Sequence, residues 1–235
     1  MSKNIYRYTK IFYWVRKLVF SQVFQKIPFF SENFKRKIIF YSIFKSNHWR
    51  DYNIPRKDES VSGLGSDYIV TKQFIDDLNT FIKKNKITTI LDIACGDFNW
   101  MKHLINNNVN TKYLGLEIIK EIVNKNVTLY STSRINFCCM DVLNEDLPNN
   151  YDLIVVRDFF IHIKNIDIIN MINKIKSSKC KYFAINNFPT IIKNNDVKGY
   201  GHHRLVNIEI DPFLLDNSYY ILNDYDRKLN IYKNK

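Results

Sequence analysis

The stretch Ile90-Leu-Asp-Ile-Ala-Cys-Gly-Asp-Phe-Asn-Trp100 decides the fold. It starts as an apolar run with an acid at Asp92, and it then passes the small residues Ala94 and Gly96 before a helix-like segment. A short apolar run that leads through a small-residue turn into a helix is typical of a buried strand in an α/β sheet. Ligands of such sheets bind beyond the carboxyl ends of the strands, so this turn is a candidate ligand site.

Strand-like and helix-like segments alternate on from this motif. The predicted strands cover residues 89–94, 113–117, 135–140, 153–156, 182–185, 219–222 and 228–232, and the predicted helices cover 68–82, 100–106, 119–126 and 166–177. Short apolar strands separated by helices predict a mostly parallel sheet that is covered on both faces. The last two strands are close together in sequence, which predicts a C-terminal antiparallel hairpin.

The basic charge is concentrated in the first quarter of the chain. The 235 residues carry a formal net charge of +12, of which residues 1–57 supply +11 together with 15 of the 35 aromatic side chains. We therefore predict a basic, aromatic, helical extension over 1–57, with helices at 11–25 and 34–44, and a separate main domain over 58–235. Such an extension fits peripheral contact with a membrane or a partner, or a cap packed on the main domain or on a second subunit.

The four cysteines are too few for a disulfide framework in a chain of this size. Cys138 and Cys139 are predicted to be small hydrophobic residues in a buried strand. No stretch reaches the roughly 20 apolar residues that a membrane-spanning helix needs. We predict a cytoplasmic protein. Attachment to the inner face of the membrane through residues 1–50 stays an open alternative.

Two acids end the strands that follow the first motif. Glu117 lies 21 residues beyond Gly96, where a carboxylate can accept hydrogen bonds from both hydroxyls of a ribose, and Asp141 could bind an adenine amino group. A nicotinamide-binding domain also places an acid on the ribose, but the glycines of its GxGxxG turn are absent around Gly96. An ordinary α/β domain without a cofactor is the remaining alternative.

The ordered motifs resemble those of the class I S-adenosylmethionine-dependent methyltransferases. The first motif of that family runs acid-x-Gly-x-Gly-x-Gly, and this chain has Asp92, Ala94, Gly96 and Phe98 at those positions. LDIACGDFNWM, YLGLEII, CCMDVLNEDLP and YDLIVVRDFFIHI follow in family order over residues 87–163. A closer likeness is to a small bacterial subgroup associated with capsule and lipopolysaccharide gene clusters, with an SGxGS loop at 62–66, CGDfnWm at 95–101 and RDxxxH at 157–162.

The resemblance implies a Rossmann-like seven-stranded sheet, S-adenosylmethionine as the cofactor, and methylation of a hydroxyl on a sugar or an activated glycan precursor of a surface polysaccharide. A phosphate-linked group such as a phosphoramidate is a related acceptor. The residues that the resemblance places on the cofactor are Ser62, Gly63, Asp92, Ala94, Cys95, Gly96, Asp97, Trp100, Glu117, Ile118, Asp141, Val142 and Arg157.

Catalytic candidates follow the fourth strand, where this family presents side chains to the methyl group. A hydroxyl is a weak nucleophile while it is protonated, and His162 is the preferred general base because its unperturbed pKa is near 6.5. Alternatively, Asp158 caps the next turn and His162 packs beneath it. Arg157 is expected either to bind an anionic group or to pair with Asp158.

A glycine-flanked loop at 199–204 is the candidate acceptor-binding segment. The predicted acceptor residues are Asn187, Tyr200, His202, His203 and Arg204. Neighbouring histidines could ligate a metal together with Asp158 or Asp196, but magnesium prefers carboxylates and water, so no metal is predicted.

Two other functions stay open. A methyltransferase that acts on RNA or protein would use the basic extension as a docking arm, although nucleic acid is not the expected partner. A non-catalytic module that binds a membrane or a partner would retain only the fold.

Overall fold

The computed structural model describes Trp14 and residues 17–19, 21–49 and 60–234. Within these ranges seven strands form one sheet in the order β3-β2-β1-β4-β5-β7-β6. The strands are β1 Thr89–Ile93, β2 Lys112–Glu117, β3 Ile135–Cys139, β4 Leu153–Val156, β5 Tyr182–Asn187, β6 Tyr220–Asp224 and β7 Arg227–Lys233. β1 to β5 are parallel, and β7 is antiparallel to both of its neighbours, β5 and β6. The predicted sheet and its closing hairpin are confirmed.

Six α-helices are defined in the described part of the chain. They are α1 Gln22–Lys26, α2 Glu32–Lys45, α3 Tyr68–Lys84, α4 Met101–Asn106, α5 Lys120–Tyr130 and α6 Asn165–Ser177. The helices of the main domain agree with prediction, except that α5 continues four residues beyond the predicted end at residue 126. Of the helix predicted at 11–25, six residues lie outside the described ranges, Trp14 and residues 17–19 are helical, and Ser21 has extended backbone and caps α1. The helix predicted at 34–44 is contained in α2.

The strand β1 lies in the middle of the parallel part of the sheet, and its residues alternate between two hydrophobic cores. Leu91 and Ile93 face one core, whereas Ile90 faces the other. Because helices cover both faces, the strand is apolar throughout instead of alternating with polar residues. The prediction that Cys138 and Cys139 are buried is wrong, since Cys138 is half-buried and Cys139 is exposed. The reason is their position in β3, which is the edge strand.

The helix α2 of the N-terminal extension packs against the sheet. Ile39, Phe40 and Ile43 are buried in the same core as Leu91 and Val142. These positions are spaced by three and four residues, so they lie on one face of the helix. Truncating one of them, such as Ile39, to alanine removes buried apolar contacts and typically costs about 2–5 kcal/mol. The extension thus reaches the carboxyl edge of the strands, where the candidate site lies.

Candidate functional site

The turn after β1 keeps a left-handed backbone at three alternating positions. Ala94, Gly96 and Phe98 have φ angles of 59°, 56° and 61°. Two of these positions carry side chains where the family motif has glycine, and an L-residue in this conformation costs about 1–2 kcal/mol. The Phe98 ring is buried, with its centroid 4.8 Å from that of Tyr113 and 5.1 Å from that of Phe137. The burial of Phe98 offsets the backbone strain at this position, so the turn keeps its left-handed residues with only one glycine among them.

The loop at 60–66 is fastened to this turn through Asp97. The Asp97 carboxylate accepts hydrogen bonds from the Ser60 hydroxyl and the Val61 amide, both at 2.8 Å, and from the Ser62 hydroxyl at 3.3 Å. A Cβ atom at Gly96 would lie 2.2 Å from the Ser62 hydroxyl oxygen. Glycine is therefore required at position 96, both by its backbone conformation and by the close approach of this loop.

Two buried carboxyl groups, those of Glu117 and Asp92, lie near the turn. Glu117 ends β2, and its Oε1 and Oε2 atoms accept the amides of Ile119 at 3.0 Å and Gly96 at 3.1 Å. Burial raises the pKa of the Glu117 carboxyl. Asp92 accepts a hydrogen bond from the Tyr113 hydroxyl at 2.8 Å, and burial raises the pKa of Asp92 to about 7. Glu117 is thus a hydrogen-bond acceptor held directly beside the backbone of the turn.

The third acid of the motif set, Asp141, is paired with an arginine from the extension. Arg36 of α2 donates to Asp141 Oδ2 from Nε at 3.1 Å and from Nη2 at 2.8 Å, and both side chains are buried. The other oxygen, Oδ1, accepts the Leu143 amide at 3.2 Å. The Arg36 guanidinium also lies 5.4 Å from the centroid of Tyr200, whose hydroxyl donates to Asp167 at 3.1 Å. Arg36 therefore joins the extension, the third strand and the loop at 199–204.

A cavity at the carboxyl edge of β1, β2 and β4 brings most of the predicted site residues together. Those on its wall are Ser62, Asp92, Ala94, Cys95, Gly96, Trp100, Glu117, Ile118, Asp141, Val142, Arg157, Asp158 and His162. The predicted residues that are not on this wall are Gly63, Asp97, Asn187, Tyr200, His202, His203 and Arg204. The predicted catalytic set therefore shares one cavity with the predicted cofactor set, except for Gly63 and Asp97, and the predicted acceptor residues do not line this cavity.

The charges that follow β4 are already paired. Arg157 donates from Nε and Nη2 to the two carboxylate oxygens of Asp224 in β6, each at 2.9 Å, and both side chains are buried. Asp158 pairs with Arg157 at 3.3 Å and accepts a short hydrogen bond from Arg227 of β7. Burial alone would raise the pKa of Asp158, but Arg157 and Arg227 hold it below its usual value. Asp158 is therefore an anion whose charge is shared with two cations, which makes it a poor proton acceptor.

His162 has one ring nitrogen committed and one available. Its Nδ1 lies 3.3 Å from the backbone carbonyl of His202. A carbonyl oxygen can only accept, so we assign the proton to Nδ1, which leaves Nε2 as the acceptor. Burial lowers the pKa of His162 to about 4. The imidazole is therefore neutral near pH 7 and can receive a proton at Nε2.

The predicted acceptor residues hold the wall in place through internal hydrogen bonds. Arg204 donates from Nη1 to the Phe160 carbonyl at 2.6 Å and from Nη2 to the Ile163 carbonyl at 2.9 Å, on either side of His162. Asn187 donates to Glu209 at 2.7 Å and is fully buried. Arg204 thus supports the segment around His162, and Asn187 is bound to Glu209. Direct contact between the predicted acceptor residues and an acceptor stays a prediction.

Four wall residues from the extension were not predicted: Arg36, Phe40, Phe44 and Trp49. The first three recur at intervals of four residues, which places them on one face of α2. A lone arginine in such an apolar stripe was the signal in the sequence, because an arginine on a buried face needs an acidic partner. Nothing in the sequence identifies that partner as Asp141, which lies 105 positions away.

Known proteins resemble this chain in structure only, since no family model and no curated protein matches its sequence. Magnesium protoporphyrin IX methyltransferase from Synechocystis PCC 6803 with bound SAM aligns with a TM-score of 0.56 at 16% identity, over 87% of this chain and 98% of that one. PigF with SAH aligns with a TM-score of 0.55 at 17% identity, over 69% and 61%.

N,N-8-amino-8-demethyl-D-riboflavin dimethyltransferase from Streptomyces davawensis aligns with a TM-score of 0.53 at 15% identity, over 70% of this chain. This chain spans 55% of the length of that enzyme. Together these likenesses show that the chain has the class I methyltransferase fold.

The described residues contain neither a cluster of metal-ligating side chains nor a membrane-spanning helix. No three or more His, Cys, Asp or Glu side chains there lie close enough to hold a metal ion. None of the helices in the described ranges is long and apolar enough to cross a bilayer.

Proposed function

We propose that this protein is an S-adenosylmethionine-dependent methyltransferase that methylates a hydroxyl of a small-molecule acceptor. The observation that carries the proposal is that Gly96, Glu117, Asp141 and His162 line one cavity at the carboxyl edge of the sheet. That edge is where open α/β sheets bind their ligands. The fold shared with solved methyltransferases, two of which were crystallised with SAM or SAH, supports the same function.

The side chains that line the cavity fit the cofactor. Glu117 is a buried carboxylate at the end of β2 and suits the two ribose hydroxyls, each of which can donate to one of its oxygens. Asp141 suits the exocyclic amino group of adenine, and the side chains of Ile118, Val142 and Leu143 supply apolar surface for the base. The backbone at Gly96 has no side chain to hinder a close approach.

When bound, the cofactor supplies an electrophilic methyl group on a sulfonium. The protein's own residues orient the acceptor, exclude water and remove the proton. His162 takes this proton at Nε2, while its Nδ1–H stays on the His202 carbonyl and fixes the ring. The cationic imidazolium that results lies near the Asp158 carboxylate, which favours the charge.

The cavity favours an uncharged acceptor. Both arginines on its wall, Arg36 and Arg157, are bound to buried aspartates. Arg204, which could have bound a phosphate, donates to backbone carbonyls outside the wall. A phosphate-linked group would therefore find no unpaired cation among the described wall residues, so we favour a plain hydroxyl. Following the resemblance to the capsule and lipopolysaccharide subgroup, we propose a sugar or an activated glycan precursor, methylated in the cytoplasm.

Calorimetry of the purified protein with S-adenosylmethionine and S-adenosylhomocysteine tests cofactor binding. We expect both to bind, and the absence of heat with both would reject the proposal. Mass spectrometry of surface polysaccharide from a strain that lacks the gene then tests the acceptor. The expected result is the loss of methyl groups, restored by the wild-type gene but not by His162→Gln. An unchanged methylation pattern would reject the glycan acceptor while leaving the methyltransferase assignment in place.

We also propose that the extension touches an anionic membrane surface. Phe29, Leu18 and Trp14 are 87%, 67% and 63% exposed, and the exposed Lys17 and Lys26 belong to the same segment. Apolar side chains beside lysines suit the boundary of headgroups and acyl chains. Flotation with vesicles of anionic and of neutral lipid tests this idea. Phe29→Ser combined with Leu18→Ser should reduce partitioning into the anionic vesicles, and unchanged partitioning would discard the idea.

A further inference from the structure

Trp49 of the extension contacts the proposed base, His162. Its ring stacks on His162 with the centroids 4.9 Å apart and the planes inclined by 28°. Phe40 of α2 lies on another side, 6.5 Å from Trp49 between ring centroids. The loop at 60–66 closes a third side, because a Cβ at Gly63 would come within 3.3 Å of the Trp49 Cβ and carbonyl oxygen. Trp49 is therefore wedged in place, and it also lines the cavity.

The charged and titratable groups around His162 do not account for its neutrality by themselves. The Asp158 carboxylate favours the imidazolium, whereas His203, with its ring centroid 5.8 Å away, and Arg204 disfavour it. The His202 carbonyl accepts from Nδ1 and also favours the charged ring. Exclusion of water is the dominant effect that keeps the ring neutral. Since Trp49 covers one face of the ring, it is a direct source of that exclusion.

We propose that Trp49 is the positioning residue of His162: its indole shields one face of the imidazole from water and fixes the ring plane so that Nε2 is left for the acceptor. The inference rests on the proposed function, in which His162 is the base. It also gives the N-terminal extension a part in the chemistry, because Trp49 follows α2 by four residues. Finally, it explains the glycine at position 63, since that residue has a φ of 97° and packs directly against Trp49.

The decisive measurement is an NMR titration of the histidine rings in the full chain, which needs neither cofactor nor acceptor. The chain has five histidines, and the signal of His162 is the one that disappears in His162→Gln. In the wild type this ring should titrate near pH 4 with the proton on Nδ1. In Trp49→Leu water reaches the ring, and we expect its pKa to rise by about one unit or more toward the usual 6.5.

Two controls separate this effect from general damage. Trp49→Phe keeps an aromatic ring on the imidazole and should leave the pKa of His162 within about half a unit of the wild type. Trp14→Leu makes the same substitution at an exposed tryptophan and should change nothing at His162. His103, which stacks on Tyr68 with centroids 4.1 Å apart, serves as the internal reference in every variant.

An unchanged pKa of His162 in folded Trp49→Leu would overturn the inference. If that variant does not fold, nuclear Overhauser contacts between the Trp49 indole and the His162 ring decide the matter in the wild type, and their absence would overturn it equally. Failure of the proposed function is a separate result, because it is read from cofactor calorimetry. Once an acceptor is available, the acid limb of kcat/KM should move to higher pH in Trp49→Leu, whereas a merely structural role would lower activity without moving that limb.

Discussion

Replacing Glu117 by glutamine should separate cofactor affinity from folding stability. The substitution keeps the shape of the side chain but exchanges one accepting oxygen for an NH2 group, which cannot accept the hydrogen bond of a ribose hydroxyl. A hydrogen bond to a charged group contributes about 1.5–3 kcal/mol, so the dissociation constant for S-adenosylhomocysteine should rise roughly 10- to 150-fold. Calorimetry at pH 7 measures this change directly.

The stability of Glu117→Gln should not fall in parallel. Burial raises the pKa of Glu117 in the folded state. A carboxyl with a raised pKa stabilises the fold below its unfolded pKa, and this contribution is lost as the pH rises through the folded value. At pH 7 the wild type therefore bears the cost of a buried charge that the variant lacks. This relief offsets the loss of the hydrogen bond from one of the two backbone amides that donate to Glu117. The free energy of unfolding of the variant minus that of the wild type should therefore be more positive at pH 7 than at pH 4.

A matched control is Glu121→Gln on α5, whose carboxylate is exposed and pairs with Lys45. It should leave the affinity for S-adenosylhomocysteine unchanged. An affinity of Glu117→Gln within about twofold of the wild type would refute the assignment of Glu117 to the ribose. If the free energy of urea-induced unfolding falls by as much as the free energy of cofactor binding, the two effects are not separable and this prediction is wrong.

Three further outcomes are expected from urea unfolding. In Asp92→Asn the decline of stability between about pH 4 and pH 7 should flatten. The pKa of the wild-type carboxyl is raised from 3.8 to about 7, so its ionisation in the core costs on the order of 4 kcal/mol of stability. An unchanged pH profile in the variant contradicts this. Ala94→Gly relieves a φ of 59° and should stabilise by about 1 kcal/mol, so a lower midpoint would count against strain in the turn. Asp224→Ala removes the bidentate partner of the buried Arg157 and should lower the free energy of unfolding by about 3–5 kcal/mol. A loss below about 1 kcal/mol would show that this ion pair does not hold the hairpin to β4.

The sheet could be predicted because its strands carry local signals. Apolar runs such as 90–93 and 153–156, separated by amphipathic helices, specify a parallel sheet without reference to distant residues. The positions of Glu117 and Asp141 followed from the same rule, since Glu117 ends β2, Asp141 follows β3 by two residues, and the carboxyl ends of parallel strands meet at one edge. The meeting of these two acids at one edge of the sheet could therefore be predicted from the sequence, and their contact with a cofactor stays a prediction.

The internal partners of the predicted acceptor residues could not be predicted, because contacts between residues distant in sequence decide them. Arg204 and Asn187 have residue types suited to binding a substrate, and in the structure Arg204 donates to backbone carbonyls while Asn187 donates to the half-buried Glu209. Arg157 pairs with Asp158 at 3.3 Å, which was one of its two expected roles, but its bidentate partner Asp224 in the hairpin could not be predicted. Trp49 precedes segment 50–59, and nothing in its neighbours predicts that its ring covers His162. Partners distant in sequence leave no periodic signal.

The ion pair between Arg36 and Asp141 bears on how such an enzyme can diversify. A new N-terminal segment grafted onto this sheet would have to bring its own cation to the third strand, or it would leave a carboxylate stranded in the protein interior. The same helix carries Phe40 and Phe44 to the wall. Recombination that exchanges this segment therefore changes both the wall of the cavity and the partner of Asp141 in a single event, and the chimaeras that fold should be those whose incoming helix has an arginine at the position of Arg36.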